Sequence, residues 1–354
     1  MGLERVKQVK RVLGEICYFK RLLKTYGEHL LPGQYYLFPG LRAIAATQSL
    51  EKAKAYFWKK TEPSKTQKLI SVINGTNYYR NKRQSNLETY EAVYSANNYD
   101  KVREIKLFSF ARNEILTFCT SEQARQKQLE EYESLRAYFG MPRVQRQDIG
   151  RYAYKISMVT LVPHQEERLA LEVVCRCVAA YYQAHRTEQG DVLASQIMNI
   201  SYPQKEIQNL LLELTQRIDP AVLEMRIPLC FQHGDLSRDN LLYGNCDGKT
   251  DFWWIDWEHS GQRVFFYDYF FYILNTAVYY HDISALKAYL CGDCQSHLQE
   301  FFAQFGLRYD HTHCKDYLLI FVVVFLKERV CDLNNTEALK MYCDFLYEMM
   351  WNEA

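Results

Sequence analysis

The sequence predicts an α+β protein in which a small, mainly β region precedes a larger helical one. Three observations carry this. Between residues 88 and 162, ETYEAVYSA, KVREIKLFSFA, NEILTFCT, a segment near 144–148 and YAYKISMVTLV favour strands separated by short turns. One strongly helical stretch, 121–140, sits among them, capped by Ser121 and ended by Gly140. Three strands, a helix and two strands suit a small sheet with one helix packed on it. From Glu166 onward, helical periodicity dominates.

Upstream, residues 3–24 place Val6, Val9, Leu13, Ile16 and Leu23 at helical spacing, with Arg5, Lys7, Lys10, Arg11, Lys20, Arg21 and Lys24 on the remainder. Two readings stand: peripheral contact with an anionic membrane face, or a helix packed on its own protein with a solvated basic side. LLPGQYYLFPG (30–40) reads as loop because Pro-Gly punctuates it twice. SLEKAKAYFWKK (49–60) reads as a helix capped by Ser49, Pro63 interrupts it, and a further helical segment runs to Ile73. Gly75 and the polar run 77–86 read as a linker, so 1–87 is predicted to be an N-terminal helical extension. In the C-terminal half, 167–185 and 206–218 read as helices, IPLCF, NLLYG and DFWWIDWE as strands, and everything after Asp268 as helical. The predicted division is 1–87, a small lobe 88–162, and a helical lobe 163–354.

Bulk properties exclude several classes. A net charge of +1 gives no electrostatic footprint for nucleic acid. The 11 cysteines are scattered through a long chain, which predicts reduced thiols in a cytoplasmic protein rather than a disulfide framework. No signal peptide is visible. The longest apolar run, YLLIFVVVFL (317–326), spans 10 residues against the roughly 20 a membrane span needs, and reads as a buried helix.

The chemistry concentrates in two short stretches. HGDLSRDN (233–240) follows the strand IPLCF, and IDWEHSG (255–261) closes the strand FWW. Asp235, Asn240 and Asp256 are oxygen-bearing side chains delivered by neighbouring loops. One can act as base toward a hydroxyl, and two can hold Mg²⁺, which prefers oxygen ligands and keeps phosphate oxygens and water. Phosphoryl transfer asks for those parts, since it depends on positioning and charge neutralisation.

These residues resemble the catalytic loop and metal-binding segment of the aminoglycoside phosphotransferase and choline kinase families, small-molecule kinases with a two-lobed protein-kinase-like fold. The resemblance covers roughly residues 88–354. It implies Asp235 as catalytic base, Asn240 and Asp256 as metal ligands, His233 as a structural anchor of its loop, and Asp268 as the structural Asp placed shortly after the metal ligand. Glu258 resembles the acid of the IDWE and IDFE versions of the segment. The implied cofactors are ATP and Mg²⁺, and the implied partner is a small-molecule hydroxyl acceptor: a sugar, an amino alcohol, or a cell-surface glycan or lipid precursor. Antibiotic phosphorylation is a further reading, though the C-terminal helices lack the acidic character a polycationic drug would want. Arg238, Trp257, Glu258 and His259 are candidate substrate contacts, with an alternative for Arg238 as an ion-pair tie. Trp257 and the other aromatics near the motif read either as a substrate wall or as core.

The small lobe departs from the pattern. No glycine occurs between Gly75 and Gly140, and the turn SANN (95–98), with Ser95 and Asn97, stands where a Gly-rich phosphate loop would be. Lys106, in REIKLF, is the candidate phosphate lysine, alternatively a plain strand residue. Glu130, Glu131 and Glu133 are equivalent candidates for its acidic partner. These departures motivate a second class of reading, a pseudokinase acting as a binding or scaffold module. No D-F-G or A-P-E segment is present to build a protein-kinase activation loop. Cys291, Cys294, His297, His311, His313 and Cys314 have spacings compatible with zinc, or with a helix-joining turn and buried thiols.

Overall fold

A computed structural model describes residues 14, 17–38, 43–57, 79–81, 88–98, 101–149, 151–162, 167–188, 190–198, 205–333, 342 and 344–345. The chain divides into two units. The first comprises Met1–Arg136, Pro142–Thr160 and Asn245–Lys249, and the second Ala137–Met141, Leu161–Gly244 and Thr250–Ala354.

The first unit is built on an eight-stranded antiparallel sheet. Its strands are β1 (Gly33–Phe38), β2 (Ala43–Ala46), β3 (Tyr79–Asn81), β4 (Ala92–Asn98), β5 (Lys101–Ser109), β6 (Glu114–Phe118), β7 (Val144–Asp148) and β8 (Tyr152–Ser157), in the order β3-β1-β2-β4-β5-β6-β8-β7. The strands expected between 88 and 162 are all present. The expected boundary at residue 87 is corrected, because β1, β2 and β3 join the same sheet through β2–β4 pairing. The two Pro-Gly pairs had marked 30–40 as loop. Only partner strands, out of view of local periodicity, draw GQYYLF into a ladder.

One face of the sheet is covered by the helical residues 17–26. Phe19, Leu22 and Leu23 pack with Ile44, Val93, Ile105, Leu107, Leu116 and Phe118, while Lys20, Arg21 and Lys24 are exposed. Each such buried apolar side chain contributes about 1.5–3 kcal/mol. The apolar side of this helix is therefore occupied by its own sheet, and the membrane reading is corrected over the described part. Residues 1–13 and 15–16 lie outside the described residues. On the opposite face, helix Leu50–Phe57 sets Phe57 against Tyr94 and Phe108. Helix Glu122–Leu135 packs on β7 and β8. Its Ser121 cap forms as expected, with Ala124 N–H donating to Ser121 Oγ at 3.1 Å. The helix stops at Leu135, before Gly140.

The second unit is mainly helical. Its described helices include Glu167–Ala184, Lys205–Gln216, Tyr267–Tyr280, Ser284–Cys291, Gln295–Gln304 and Cys314–Leu333. Tyr317 to Phe325 are buried, so the apolar run is an interior helix. Among the described residues, no helix is long and apolar enough to cross a membrane. After the short strands β9 (Thr160–Leu161) and β10 (Asp191–Leu193), the strands that carry the motif loops follow: β11 (Arg226–Gln232), β12 (Leu241–Cys246), β13 (Lys249–Trp254) and β14 (Gly261–Val264). β11 lies between β10 and β14, and β12 beside β13. Gly140 earns its place by a close approach: a Cβ there would lie 2.3 Å from the Phe252 carbonyl oxygen, and its own carbonyl accepts the Trp254 N–H at 2.7 Å.

Removing the Ser121 hydroxyl tests the cap in isolation. Ser121→Ala is expected to lower unfolding free energy by about 1 kcal/mol, read as a shift of the denaturant midpoint at unchanged slope.

Candidate active site

The site forms where β11 ends and β13 ends. Asp268, in the first turn of helix Tyr267–Tyr280, is fully buried. Its two carboxylate oxygens accept the backbone N–H groups of His233 at 2.6 Å and Gly234 at 2.9 Å. Its own N–H donates to Gln232 Oε1 at 3.0 Å. Burial raises the Asp268 carboxyl pKa above the ordinary range, opposed by the backbone donors of Gly234 and His233 and by the charge of Arg263. Both oxygens act as acceptors, the pattern of the ionised form.

The turn that follows requires glycine. Gly234 has φ +79°, and a Cβ would stand 2.3 Å from the His259 carbonyl oxygen and 2.6 Å from Arg263 Nη1. The Arg263 guanidinium is held by Glu328 at 2.7 Å and lies over the Tyr267 ring.

His233, itself buried, links the two loops. Asp235 N–H donates to His233 Nδ1 at 3.2 Å, so that nitrogen is the acceptor and the ring proton sits on Nε2. Nε2 then donates to the Ile255 carbonyl at 2.8 Å. From the other side, Ile255 N–H donates to the Asn240 carbonyl at 3.0 Å. Both backbone groups of Ile255 are therefore fixed by the 233–240 loop, and Asp256 is the next residue. Asp256 adopts a left-handed conformation, φ 68° and ψ 58°, which turns the chain from β13 into the short 3₁₀ segment Trp257–His259. Asp tolerates that region better than most non-glycine residues.

Asn240 completes the loop. Its Nδ2 donates to the Asp235 carbonyl at 2.8 Å and to Asp235 Oδ2 at 3.2 Å. Two oxygen neighbours demand the NH₂ end there, so the amide presents Oδ1, not nitrogen, to any cation.

The far end of the loop is also tied. Arg238 pairs with Asp282 at 2.7 Å and its guanidinium lies over the Tyr280 ring, while Tyr280 hydroxyl donates to Asp239. The pair, with Ser284 hydrogen bonding as the larger cause, holds the Asp282 carboxyl below its usual range. Of the two readings for Arg238, the structure displays the tie.

Glu258 and His259 are partly exposed and 3.5 Å apart. Trp257 is corrected as a substrate wall. It is 1% exposed, packed against His233, Phe139 and Trp254, and belongs to the core.

In the sheet unit, residues 95–98 are the end of β4 rather than a turn, with a register shift between Ala96 and Asn97. Ser95 is buried, and its hydroxyl is 2.9 Å from the Tyr18 hydroxyl, so it does not face a phosphate. Asn97 lies past the irregularity, and its side chain is outside the described residues. Lys106 is paired across the sheet with Tyr94 on one side and Thr117 on the other, which places all three on one face. Glu131 is the half-buried member of the three candidate acids. Burial raises its carboxyl pKa, and Lys127 stands 3.5 Å away.

His313 is 2.9 Å from Asp316 and the His311 ring faces Gly292. Among the described residues, no group of three or more His, Cys, Asp or Glu is arranged to hold a metal.

Sequence reasoning missed Gln232, Arg263, Tyr280 and Asp282, whose roles depend on distant partners. Gly234 was passed over as well, although a glycine inside a polar loop that follows a strand permits a positive φ.

No family model matches the chain, and no curated protein sequence does. Solved structures do. Choline kinase LicA from Streptococcus pneumoniae aligns with a TM-score of 0.43 and 12% identity over 79% of this chain and 100% of that one. Aminoglycoside 2'-phosphotransferase-IIIa, as its GDP complex, gives 0.42 and 18% over 72% and 92%. Amicoumacin kinase hAmiN, in complex with AMP-PNP, Ca²⁺ and Ami, gives 0.41 and 15% over 72% and 87%. The chain is similar in structure to small-molecule kinases. With these three TM-scores below 0.5, the chemistry of the site rests on its own geometry.

Two substitutions probe the scaffold of the loop. Asp268→Asn replaces one acceptor by an NH₂ group facing a backbone donor, and is expected to cost about 1–3 kcal/mol. Gly234→Ala forces a side chain into a left-handed turn against a backbone carbonyl, and is expected to cost more than about 2 kcal/mol. Denaturant unfolding of both variants beside the parent checks the two values.

Proposed function

We propose that this chain is an ATP- and Mg²⁺-dependent phosphotransferase that phosphorylates a hydroxyl of a small molecule. The supporting observation is the clamp on Ile255: both its backbone groups are hydrogen-bonded to the 233–240 loop, which keeps Asp256 in register with Asp235 and Asn240. The donor chemistry fits a hard cation, with two carboxylates and an amide whose nitrogen is already engaged. Asn240 Oδ1 and the Asp256 carboxylate would hold Mg²⁺, which when bound neutralises phosphate charge.

Asp235 receives the proton of the acceptor hydroxyl. Its backbone is anchored by His233 and its carboxylate rotation is set by the Asn240 amide, so the base is oriented before substrate arrives. Lys106 is the cation that the sheet unit offers to the nucleotide phosphates. The part-exposed Glu258 and His259, directly after Asp256, are proposed acceptor contacts. The acceptor class is a sugar, an amino alcohol, or a glycan or lipid precursor.

A second reading, a nucleotide-independent scaffold, is favoured by two observations: Ser95 is buried against Tyr18, and the β4–β5 hairpin contains no glycine to approach phosphates. Thermal unfolding with ATP, with and without Mg²⁺, separates the two, since a ligand bound only by the folded state raises the midpoint. The phosphotransferase reading expects an Mg²⁺-dependent rise that Asp256→Ala removes. In an acceptor panel followed by ATP consumption, Asp235→Asn is expected to lower turnover about 10²–10⁴-fold, with the unfolding midpoint retained. No nucleotide-induced shift, together with no turnover, would favour the scaffold instead.

A further inference from the structure

A side chain from β14 packs against the Gly234 turn. Arg263 stands opposite Cys230 in the β11–β14 ladder, and β11 leads directly into the 233–240 loop. Three neighbours bound its guanidinium. Nε donates to Glu328 Oε2 at 2.7 Å, and Cζ lies 5.0 Å from the centre of the Tyr267 ring. A Cβ at Gly234 would meet Cζ at 2.8 Å and Nη1 at 2.6 Å. The planar head thus occupies the volume that a side chain at position 234 would need. Nη1 is buried and finds no hydrogen-bond acceptor among the described residues. A buried donor left unmet costs free energy, so contact and charge, rather than a hydrogen bond from Nη1, account for its place against the turn.

The charge serves two carboxylates. Glu328 is in direct contact and one-third exposed, and it belongs to the helix Cys314–Leu333. Asp268 is fully buried, and its oxygens accept from neutral amide donors. Arg263 acts on Asp268 through space, drawing its carboxyl pKa down against the larger upward effect of burial. Because both Asp268 oxygens are acceptors, whatever favours the ionised form favours the turn they hold. Removing the cation would leave a buried carboxylate with less compensation, which is costly. A lysine would supply the charge without the plane that covers Gly234.

We propose that Arg263, anchored by Glu328, is a positioning residue of the candidate site: its guanidinium fills the side-chain space of Gly234 and, together with Asp268, fixes the turn from which Asp235 projects. The consequence for turnover rests on the phosphotransferase reading, in which Asp235 is the base. The fixing of the turn does not.

The test pairs amide hydrogen exchange at single-residue resolution with kinetics, both on the full chain. Arg263→Met is expected to speed exchange of the His233 and Gly234 amides at least about 10-fold, the range for weakening a hydrogen bond to a charged group. Exchange in the interior helix at 317–325 should stay unchanged. Arg263→Lys is expected to restore part of the protection. Arg217→Gln, which deletes a more exposed cation paired with Glu213 in the same unit, should alter nothing. In the acceptor panel, Arg263→Met is expected to lower kcat about 10–100-fold at unchanged KM for ATP, the signature of a displaced base rather than lost binding. Should Arg263→Met not fold, Glu328→Gln carries the same test, with a smaller rise at the same two amides. Unchanged exchange at 233 and 234, or an equal rise throughout the unit, overturns the proposal. Local loosening with an unchanged kcat overturns the link to Asp235, and full restoration by Arg263→Lys overturns the part played by the guanidinium plane. A parent chain without turnover removes the phosphotransferase reading and leaves exchange to decide the turn.

Discussion

The architecture of the candidate site depends on one buried carboxylate. Asp268 accepts the N–H groups of two consecutive residues, His233 and Gly234. Two adjacent amides can converge on one side chain only if the chain turns sharply between them, and the positive φ of Gly234 supplies that turn. An ionised group at zero exposure is costly unless its lone pairs are met. The loop conformation and the burial of Asp268 therefore require each other.

From that point, order passes through backbone groups rather than through the residues assigned to chemistry. His233 takes the Asp235 N–H on one nitrogen and spends its proton on Ile255 with the other. Asn240 returns the link through its carbonyl to the Ile255 N–H. The loop is also spanned by a single helix. Asp268 holds its first residues from the helix start, and Tyr280 and Asp282 hold Asp239 and Arg238 at the helix end. With a rise of about 1.5 Å per residue, positions 268 and 280 lie about 18 Å apart along the axis. A rigid rod thus fixes both ends of the segment that carries Asp235, which gives this loop the positional definition of a packed element.

The legible parts of the chain were those written in local chemistry. Alternation gave β4 to β8, Ser121 marked the start of its helix, and the apolar run at 317–326 declared a buried helix rather than a span. Errors arose where two distant segments share a decision. Residues 33–38 looked like loop until β2 and β3 paired with them. For the amphipathic segment 3–24 the sequence left two readings open, membrane contact or packing on its own protein, and over the described residues the sheet face decided for packing. Trp257, next to a candidate metal ligand, looked available to substrate, yet the rings of Phe139 and Trp254 enclose it. Ser95 looked like a turn hydroxyl and proved to be an interior one.

By itself, the sequence determined the candidate site residues and their order along the chain: Asp235, Asn240 and Asp256, with His233 as the anchor of their loop, each near the edge of an apolar strand. Covalent order and short-range periodicity contain that information, because strand ends and turn glycines are chosen by neighbouring residues. The tertiary structure alone decided which of the surrounding polar and aromatic groups face the site and which lock it. That choice depends on contacts between residues tens of positions apart, such as Arg238 with Asp282 or Ser95 with Tyr18, whose energies exist only once the intervening chain has been packed.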